Sequence, residues 1–462
     1  MTATDVEPVT VTDTAEAVQP LSSAPPLPSR ATANYSLFVL TIVVLFTVLD
    51  RQVLALMIEP LKRDFQISDT QAALLIGAAF SLTYAIAGLP IARLADSRNR
   101  RNLVAICIAF WSLATIACGM AQSYVQIFIA RLCVGIGEAG YGPATWSIVA
   151  DSYPREKVAF GTSTLAIGAA VGTGLALFLG GSVLHFVQDL PSVALPFGIL
   201  IRPWQWAFIV VGLPGLLWAA VVLTTREPAR RGLIDGKKQS VPVAAVAKWM
   251  GGEWRAYLAV IGGICMKYLM SVGPVQWLPT MFFREFGWSL PQIGLILGAI
   301  TLIVSPVSMI LGAKISERWT RQGRSDANIR VMLFGLLAAV PVTAVMPLLP
   351  TPTLILSVYA ASIFISTLGI GPSIAAFQLI TPNPMRAQVS SVSQFSTNVL
   401  AFAIGPLIVA LFTDYLFKDP SQLRYSMALS TAILGPLAIL CVWQGIRPYA
   451  RAYERACREF LE

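Results

Sequence analysis

The chain has 462 residues, is 56% hydrophobic and 12% charged, with a mean hydropathy of +0.69 and a formal net charge of +9. Soluble globular domains carry about 25% charged residues, so this balance excludes an ordinary water-soluble fold and points into a lipid bilayer. The basic excess does not mark nucleic acid either, because it falls in short loops spaced between apolar runs.

From the N-terminus, residues 1–33 are rich in Pro, Thr and Ala, carry Asp5, Glu7, Asp13 and Glu16, and hold no short apolar core ahead of a cleavage site. They read as a disordered cytoplasmic tail, not a signal peptide. Apolar runs of about 20 residues, the length that spans a bilayer, then recur twelve times. The first six are predicted over 36–58, 70–93, 102–121, 124–150, 158–184 and 205–224 and make an N-terminal bundle, 34–224. Residues 225–253 are polar and basic, with Pro and Gly, and form a cytoplasmic linker. The second six, 256–283, 290–313, 328–349, 353–380, 387–413 and 425–446, make a C-terminal bundle, 254–446. Residues 447–462 mix Arg451, Arg455 and Arg458 with Tyr453 and Phe460, the pattern of an interfacial amphipathic helix, with a frayed tail as the competing reading.

If the N-terminus is cytoplasmic and twelve helices alternate, the basic clusters at 93–101, 155–157, 226–255, 314–330 and 447–458 all fall on one side. The opposite loops offer only Lys62, Arg63, Arg202, Arg284, Lys418 and Arg424. This positive-inside bias sets both termini in the cytoplasm, and the expected location is a bacterial inner membrane. The halves are also related. Phe65-Gln-Ile-Ser-Asp-Thr-Gln71 aligns with Phe286-Gly-Trp-Ser-Leu-Pro-Gln292, and at the same offset Gly77 meets Gly298 and Ala92-Arg-Leu-Ala-Asp96 meets Ala313-Lys-Ile-Ser-Glu317. The expected fold is an all-α membrane protein of twelve transmembrane helices in two pseudo-symmetric six-helix bundles, an architecture that binds its substrate between the repeats.

Charged side chains at membrane depth are costly and carry function by default. Asp50 and Arg51 sit in the first run, Arg131 and Glu138 in the fourth. Asp50 lies about 12 Å and Arg131 about 10 Å below the same surface, at 1.5 Å per residue. Glu138, seven residues beyond Arg131, projects from the same face. Pairing Asp50 with Arg131 and Arg51 with Glu138 is preferred on this geometry, and the alternative pairing stays open. Two carboxylates beside two permanently charged guanidinium groups make a proton switch; a static buried ion pair that fixes packing is the competing reading. At the repeat offset Asp50 and Arg51 meet Ser271 and Val272, so the charges belong to the first half alone.

In the seventh run Lys267, beside Tyr268, is a candidate for an anionic headgroup, together with Arg51 and Arg131. Asp96, Arg98 and Arg100 follow the second run, and Asp151 and Arg155 close the fourth. Such charges are ordinarily a solvated face; the functional reading is a cytoplasmic gate, with Asp96 or Arg100 paired across the bundles only when that side is shut. Glycines 135, 137, 140 and 142 permit close helix contact, and those flanking Glu138 also leave room around its carboxylate. The six cysteines have no metal or redox spacing, His185 is the single histidine, and no HExxH, GxSxG or Walker motif appears. No enzyme, metal or cofactor is expected, and the proton is the coupling ion.

The segment Ala92-Arg-Leu-Ala-Asp96-Ser-Arg98-Asn-Arg100-Arg101 resembles the helix 2–3 signature of the major facilitator superfamily, with Ala and Asn where glycines are usual. Arg131-Leu-Cys-Val-Gly135-Ile-Gly137 resembles its helix-four signature, and together with Asp50-Arg51 and Glu138-Ala139 it resembles the spinster (Spns) family. The resemblance implies proton-linked export of lysolipids and sphingosine-1-phosphate-like amphiphiles. It also implies that Asp50 and Glu138 are protonatable, that Arg51 and Arg131 are their partners or headgroup contacts, and that Asp96 and Arg100 belong to the cytoplasmic gate. The Gly-Pro signature of helix five in many drug/proton antiporters is missing, since Thr173 follows Gly172. The expected protein is a monomeric, proton-coupled exporter of an anionic or zwitterionic lipid, set among membrane lipids. The alternatives are a symporter of small organic anions and a non-transporting receptor or scaffold.

Overall fold

A computed structural model of the chain describes residues 27–230, 233–234, 237–238, 242–382 and 385–460. The expected tail up to residue 26, part of the linker and the last two residues lie outside the described residues. The first bundle comprises α1, Arg30–Leu56; α2, residues 69–97; α3, Arg100–Met120; α4, in two pieces, Tyr124–Ala139 and Tyr141–Ser152; α5, Arg155–Val187; and α6, Pro203–Leu223. The second comprises α7, Trp254–Phe286; α8, Leu290–Arg321; α9, Ala327–Val345; α10, Pro352–Leu379; α11, Gln388–Phe417; and α12, Leu423–Gln444.

Eleven of these are long and apolar enough to cross a membrane among the described residues. The twelfth crossing is α4, whose pieces of 16 and 12 residues are each too short alone. Its break has a local cause. Pro143 lacks the N–H that would close onto Ala139, and Gly140 sits at the interruption. The same sequence, Gly-x-Gly-Pro, recurs as Gly369 to Pro372, and α10 breaks there for the same reason. In that register Arg131 corresponds to Ala360 and Glu138 to Thr367.

The repeat is visible in the backbone. Gln66 (φ 52°) closes the short helix Ile58–Phe65 and Gly287 (φ 65°) closes α7, at equivalent positions. Two residues on, Ser68 and Ser289 cap α2 and α8 by accepting from the N–H groups of Gln71 (3.2 Å) and Gln292 (3.4 Å). Gly77 and Gly298, also equivalent, each press against the opposite bundle. A Cβ on Gly77 would stand 2.5 Å from the Phe402 carbonyl of α11, and one on Gly298 2.3 Å from the Phe178 nitrogen of α5. The bundles therefore meet along two related seams, α2 on α11 and α5 on α8.

The C-terminal helix Ile446–Phe460 departs from expectation. Its described residues pack on protein: Tyr449 and Ala452 join the core of the second bundle, and Ala456 is buried. Glu253 pairs with Arg455, and the Ser325 hydroxyl donates to Glu454 at 3.1 Å. The amphipathic pattern was satisfied within the molecule.

Candidate functional site: a buried charge cluster in the first bundle

The four charged residues of α1 and α4 come together. Arg131 Nη1 donates to Asp50 Oδ2 at 3.2 Å, and the Thr115 hydroxyl of α3 donates to Asp50 Oδ1 at 2.8 Å. Arg51 donates to Glu138 Oε2 through Nη2 (2.7 Å) and Nε (3.2 Å). Of the two pairings left open by the sequence, the structure holds Asp50 with Arg131 and Arg51 with Glu138.

The two pairs differ. Asp50 and Arg131 are 2% and 1% exposed, and both Asp50 oxygens have a partner. Glu138 is fully buried, but Oε1 has no partner and Arg51 keeps 30% of its side chain exposed. Arg131 Nε and Nη2 are also buried and unpartnered. Removing one member of a buried pair leaves an uncompensated charge, which costs about 3–5 kcal/mol, so neither pair opens freely. A proton on the carboxylate removes the anion's share of that penalty and leaves the guanidinium to find water or another anion, which the partly exposed Arg51 can reach more readily than the buried Arg131. The arrangement can hold or release a proton together with a guanidinium contact.

Two aromatic side chains of α2 complete the cluster, and the sequence reading did not find them. The Arg51 guanidinium carbon lies 4.2 Å from the Phe80 ring centroid and 5.4 Å from that of Tyr84, and the Arg131 carbon lies 5.6 Å from Phe80. The available signal was spacing: Phe80 and Tyr84 are four apart on the helix that packs against α4. That packing needs Gly135, where a Cβ would stand 2.2 Å from Thr83 Oγ1 and 2.5 Å from the Phe80 carbonyl. Gly137 and Gly140 likewise abut Trp111, and Ile91 with Cys107. These glycines serve helix contact, and the expected open space around Glu138 is not what they provide.

The other candidates separate from the cluster. Lys267 is buried in the second bundle, facing Met332, Gly335 and Ala339 of α9 and Ser366 and Gly369 of α10. Its Nζ lies 5.4 Å from the Tyr268 ring centroid. The expected grouping of Lys267 with Arg51 and Arg131 is thus not made here, because its side chain turns toward α9 and away from the first bundle. Tyr268 does reach toward α11, with its ring 6.0 Å from that of Phe402.

On the face carrying the termini, Arg100 is 1% exposed and fully engaged within its own bundle and the start of the linker. It pairs with Asp151, donates to Ser147 Oγ (2.8 Å), to Glu227 Oε1 (2.7 Å) and to the Pro228 carbonyl (2.8 Å). Arg98 is exposed and its carbonyl accepts from Arg230 at 2.6 Å. The side chains of Asp96 and Arg155 lie outside the described residues.

The opposite face holds a lock that the sequence reading missed. Arg284, at the end of α7, donates to Glu59 Oε1 (2.7 Å) and to both oxygens of Asp69 (2.6 and 2.9 Å). Lys62 also pairs with Asp69, and Asp414 of α11 accepts from the backbone N–H and hydroxyl of Thr70, both at 2.7 Å. These contacts join the two bundles. The clue lay in the repeat: Asp69 corresponds to Leu290, a charge in one half only.

The model of the Major Facilitator Superfamily matches residues 40–406. An MFS-type efflux pump of Mycolicibacterium smegmatis is 28% identical, the alignment covering 92% of this chain and 94% of that protein. Protein spinster homolog 1 of Homo sapiens is 26% identical over 88% of this chain and 77% of that protein. The crystal structure of a bacterial homolog of the human lysosomal transporter spinster, inward-facing and unoccupied, superposes with a TM-score of 0.72 at 24% identity, covering 94% of this chain and 98% of that one. These findings define a multi-pass integral membrane transporter, not an enzyme. The chain belongs to the Major Facilitator Superfamily and is similar to its spinster members.

Proposed function

We propose that the chain couples proton movement to export of an amphiphilic anionic or zwitterionic lipid, of the lysophospholipid or sphingosine-1-phosphate kind, by alternating access. The observation that carries this reading is the two opposite-signed contacts Asp50–Arg131 and Arg51–Glu138, each with a buried carboxylate and both, among the described residues, in the first bundle. A proton on Glu138 or Asp50 weakens the hold on its arginine, so the freed guanidinium takes a headgroup and the bundles rock. Arg51, the more exposed of the two arginines, is the first headgroup contact, with Arg131 behind it and Tyr268 on the second bundle. Asp96, Arg98, Arg100, Asp151 and Arg155 gate the terminus-bearing face, which is cytoplasmic in a bacterial inner membrane. The working unit is a monomer.

The test is flux through the full-length chain reconstituted in liposomes under an imposed pH gradient, with labelled lysophospholipid and sphingosine-1-phosphate as probes. Gradient-dependent movement of either supports the reading. Movement of hexuronate-like solutes instead would favour a small-anion symporter, and no flux of any probe would favour a receptor.

A further inference from the structure

We propose that Phe80 is the positioning residue through which the charge cluster acts on the seam between the bundles; this rests on the proton-coupled reading above. Three independent observations meet at this side chain. Its ring is approached by both guanidinium groups of the cluster, Arg51 at 4.2 Å and Arg131 at 5.6 Å, and it is itself 3% exposed. It therefore senses the position of both arginines at once, since each is held against the ring's negative face.

The second observation is the backbone just ahead of it. The α-helical hydrogen bonding of α2 is interrupted by a π turn at Leu74–Ala78, which ends two residues before Phe80. A π turn inside a helix is an irregularity often found at functional positions and a place where a helix can change its path. The third observation lies across the seam. Facing that turn, α11 carries its own π turn at Asn398–Ala403, and Gly77 seats against the carbonyls of Phe402 and Ala403, where a Cβ would stand 2.5 and 3.0 Å away. Phe80 is thus about one turn of helix from the Gly77 contact between α2 and α11. Two helical irregularities stacked on each other give the seam a choice of path, and Phe80 ties that choice to the arginines.

The charged and titratable groups around it are Asp50 and Arg51 from α1, Cys118 from α3, Arg131, Glu138 and Tyr141 from α4, and Tyr84 on its own helix. Across the seam stands Tyr268 of α7, against Phe402, while the α11 turn itself carries no charged side chain. When a proton neutralises Glu138, Arg51 is freed from its carboxylate and its contact with the ring changes. The ring shifts, and α2 passes the shift to Gly77 and the seam.

The experiment uses the full chain in liposomes with spin labels at Ser97 and Gln322, exposed at the terminus-bearing ends of α2 and α8, and with Cys133, Cys441 and Cys457 replaced by serine. The distance between labels is measured at mildly alkaline and mildly acidic pH. The expected result is a pH-dependent shift in the parent protein, its loss in Phe80→Leu, and its recovery in Phe80→Tyr, which keeps a ring face. A merely space-filling Phe80 would leave the pH response of Phe80→Leu unchanged, and that outcome overturns the assignment alone. A parent protein with no pH response overturns the proton-coupled reading and this inference with it. If Phe80→Leu yields no folded protein, Phe80→Met carries the same comparison.

Discussion

Asp50 and Glu138 sit within one cluster yet have different surroundings, and that difference makes separable expectations. Asp50 has a partner on each oxygen, the Arg131 guanidinium and the Thr115 hydroxyl, and so sits in the more completely satisfied pair. Glu138 has one bare oxygen and a partner that reaches solvent, so it is the less completely satisfied carboxylate and the one whose arginine has somewhere to move. Glu138→Gln should therefore abolish the pH dependence of liposome flux while the protein stays folded, and Asp50→Asn should do the same with a larger loss of thermal stability. Unchanged pH profiles in both variants would remove the assigned roles. Arg131→Met strands Asp50 in the interior and should cost about 3–5 kcal/mol, read as a depressed unfolding midpoint in detergent. Thr115→Val removes only a neutral donor to a carboxylate and should cost about 1–3 kcal/mol by the same measurement. These charged positions were legible in the sequence because ionised groups are rare in apolar runs. Thr115, Phe80 and Tyr84 were not, because a hydroxyl or a ring in a membrane helix is unremarkable until its neighbour is known.

At the scale of single helices, the departures from regular geometry are written in small residues and prolines. The break in α4 places the last turn of its first piece, with Glu138, against an interruption one residue beyond Ala139. The matching break in α10 confirms that the interruption belongs to the repeat rather than to the charges, since Thr367 stands where Glu138 does. The seam glycines tolerate no side chain. Gly77→Val and Gly298→Val would each drive a Cβ into opposing backbone, and overpacking of this kind costs about 1–3 kcal/mol. Each variant should lower the unfolding midpoint and weaken the closure between bundles. A midpoint equal to the parent's in both would show that the seams can open without penalty. The long apolar runs made these helices legible within about four residues of their ends, except that α1 begins at Arg30 and α8 continues to Arg321, both extended by polar residues beyond the apolar run. The π turns were not legible, because they answer to the partner helix and not to local propensity.

For the whole molecule, the cross-bundle lock decides which face is closed. Arg284 gathers Glu59 and Asp69 across the seam, with Lys62 balancing the second carboxylate, and the group is largely screened from solvent. Surface pairs are individually worth about 0–1 kcal/mol, but a partly buried network resists salt and holds two rigid bodies together. Arg284→Gln should release the face opposite the termini. A cysteine placed near the central cleft should then react faster with an impermeant reagent from that side, and an unaltered rate would show that other contacts keep it shut.

Composition, the spacing of apolar runs and the offset repeat determined by themselves that this is a twelve-helix membrane protein in two related halves, because a bilayer forces every span to declare itself in hydropathy. The same rule exposed the four intramembrane charges. What only the tertiary structure decided is who faces whom: Lys267 turned into its own bundle, Arg100 was consumed by its own side, the C-terminal helix docked on protein, and a lock arose from scattered acids and one arginine. The physical reason is that burial and charge are properties of a residue and can be read along a chain. Pairing and direction depend on the rotation of each helix about its axis, which is fixed only when the helices pack.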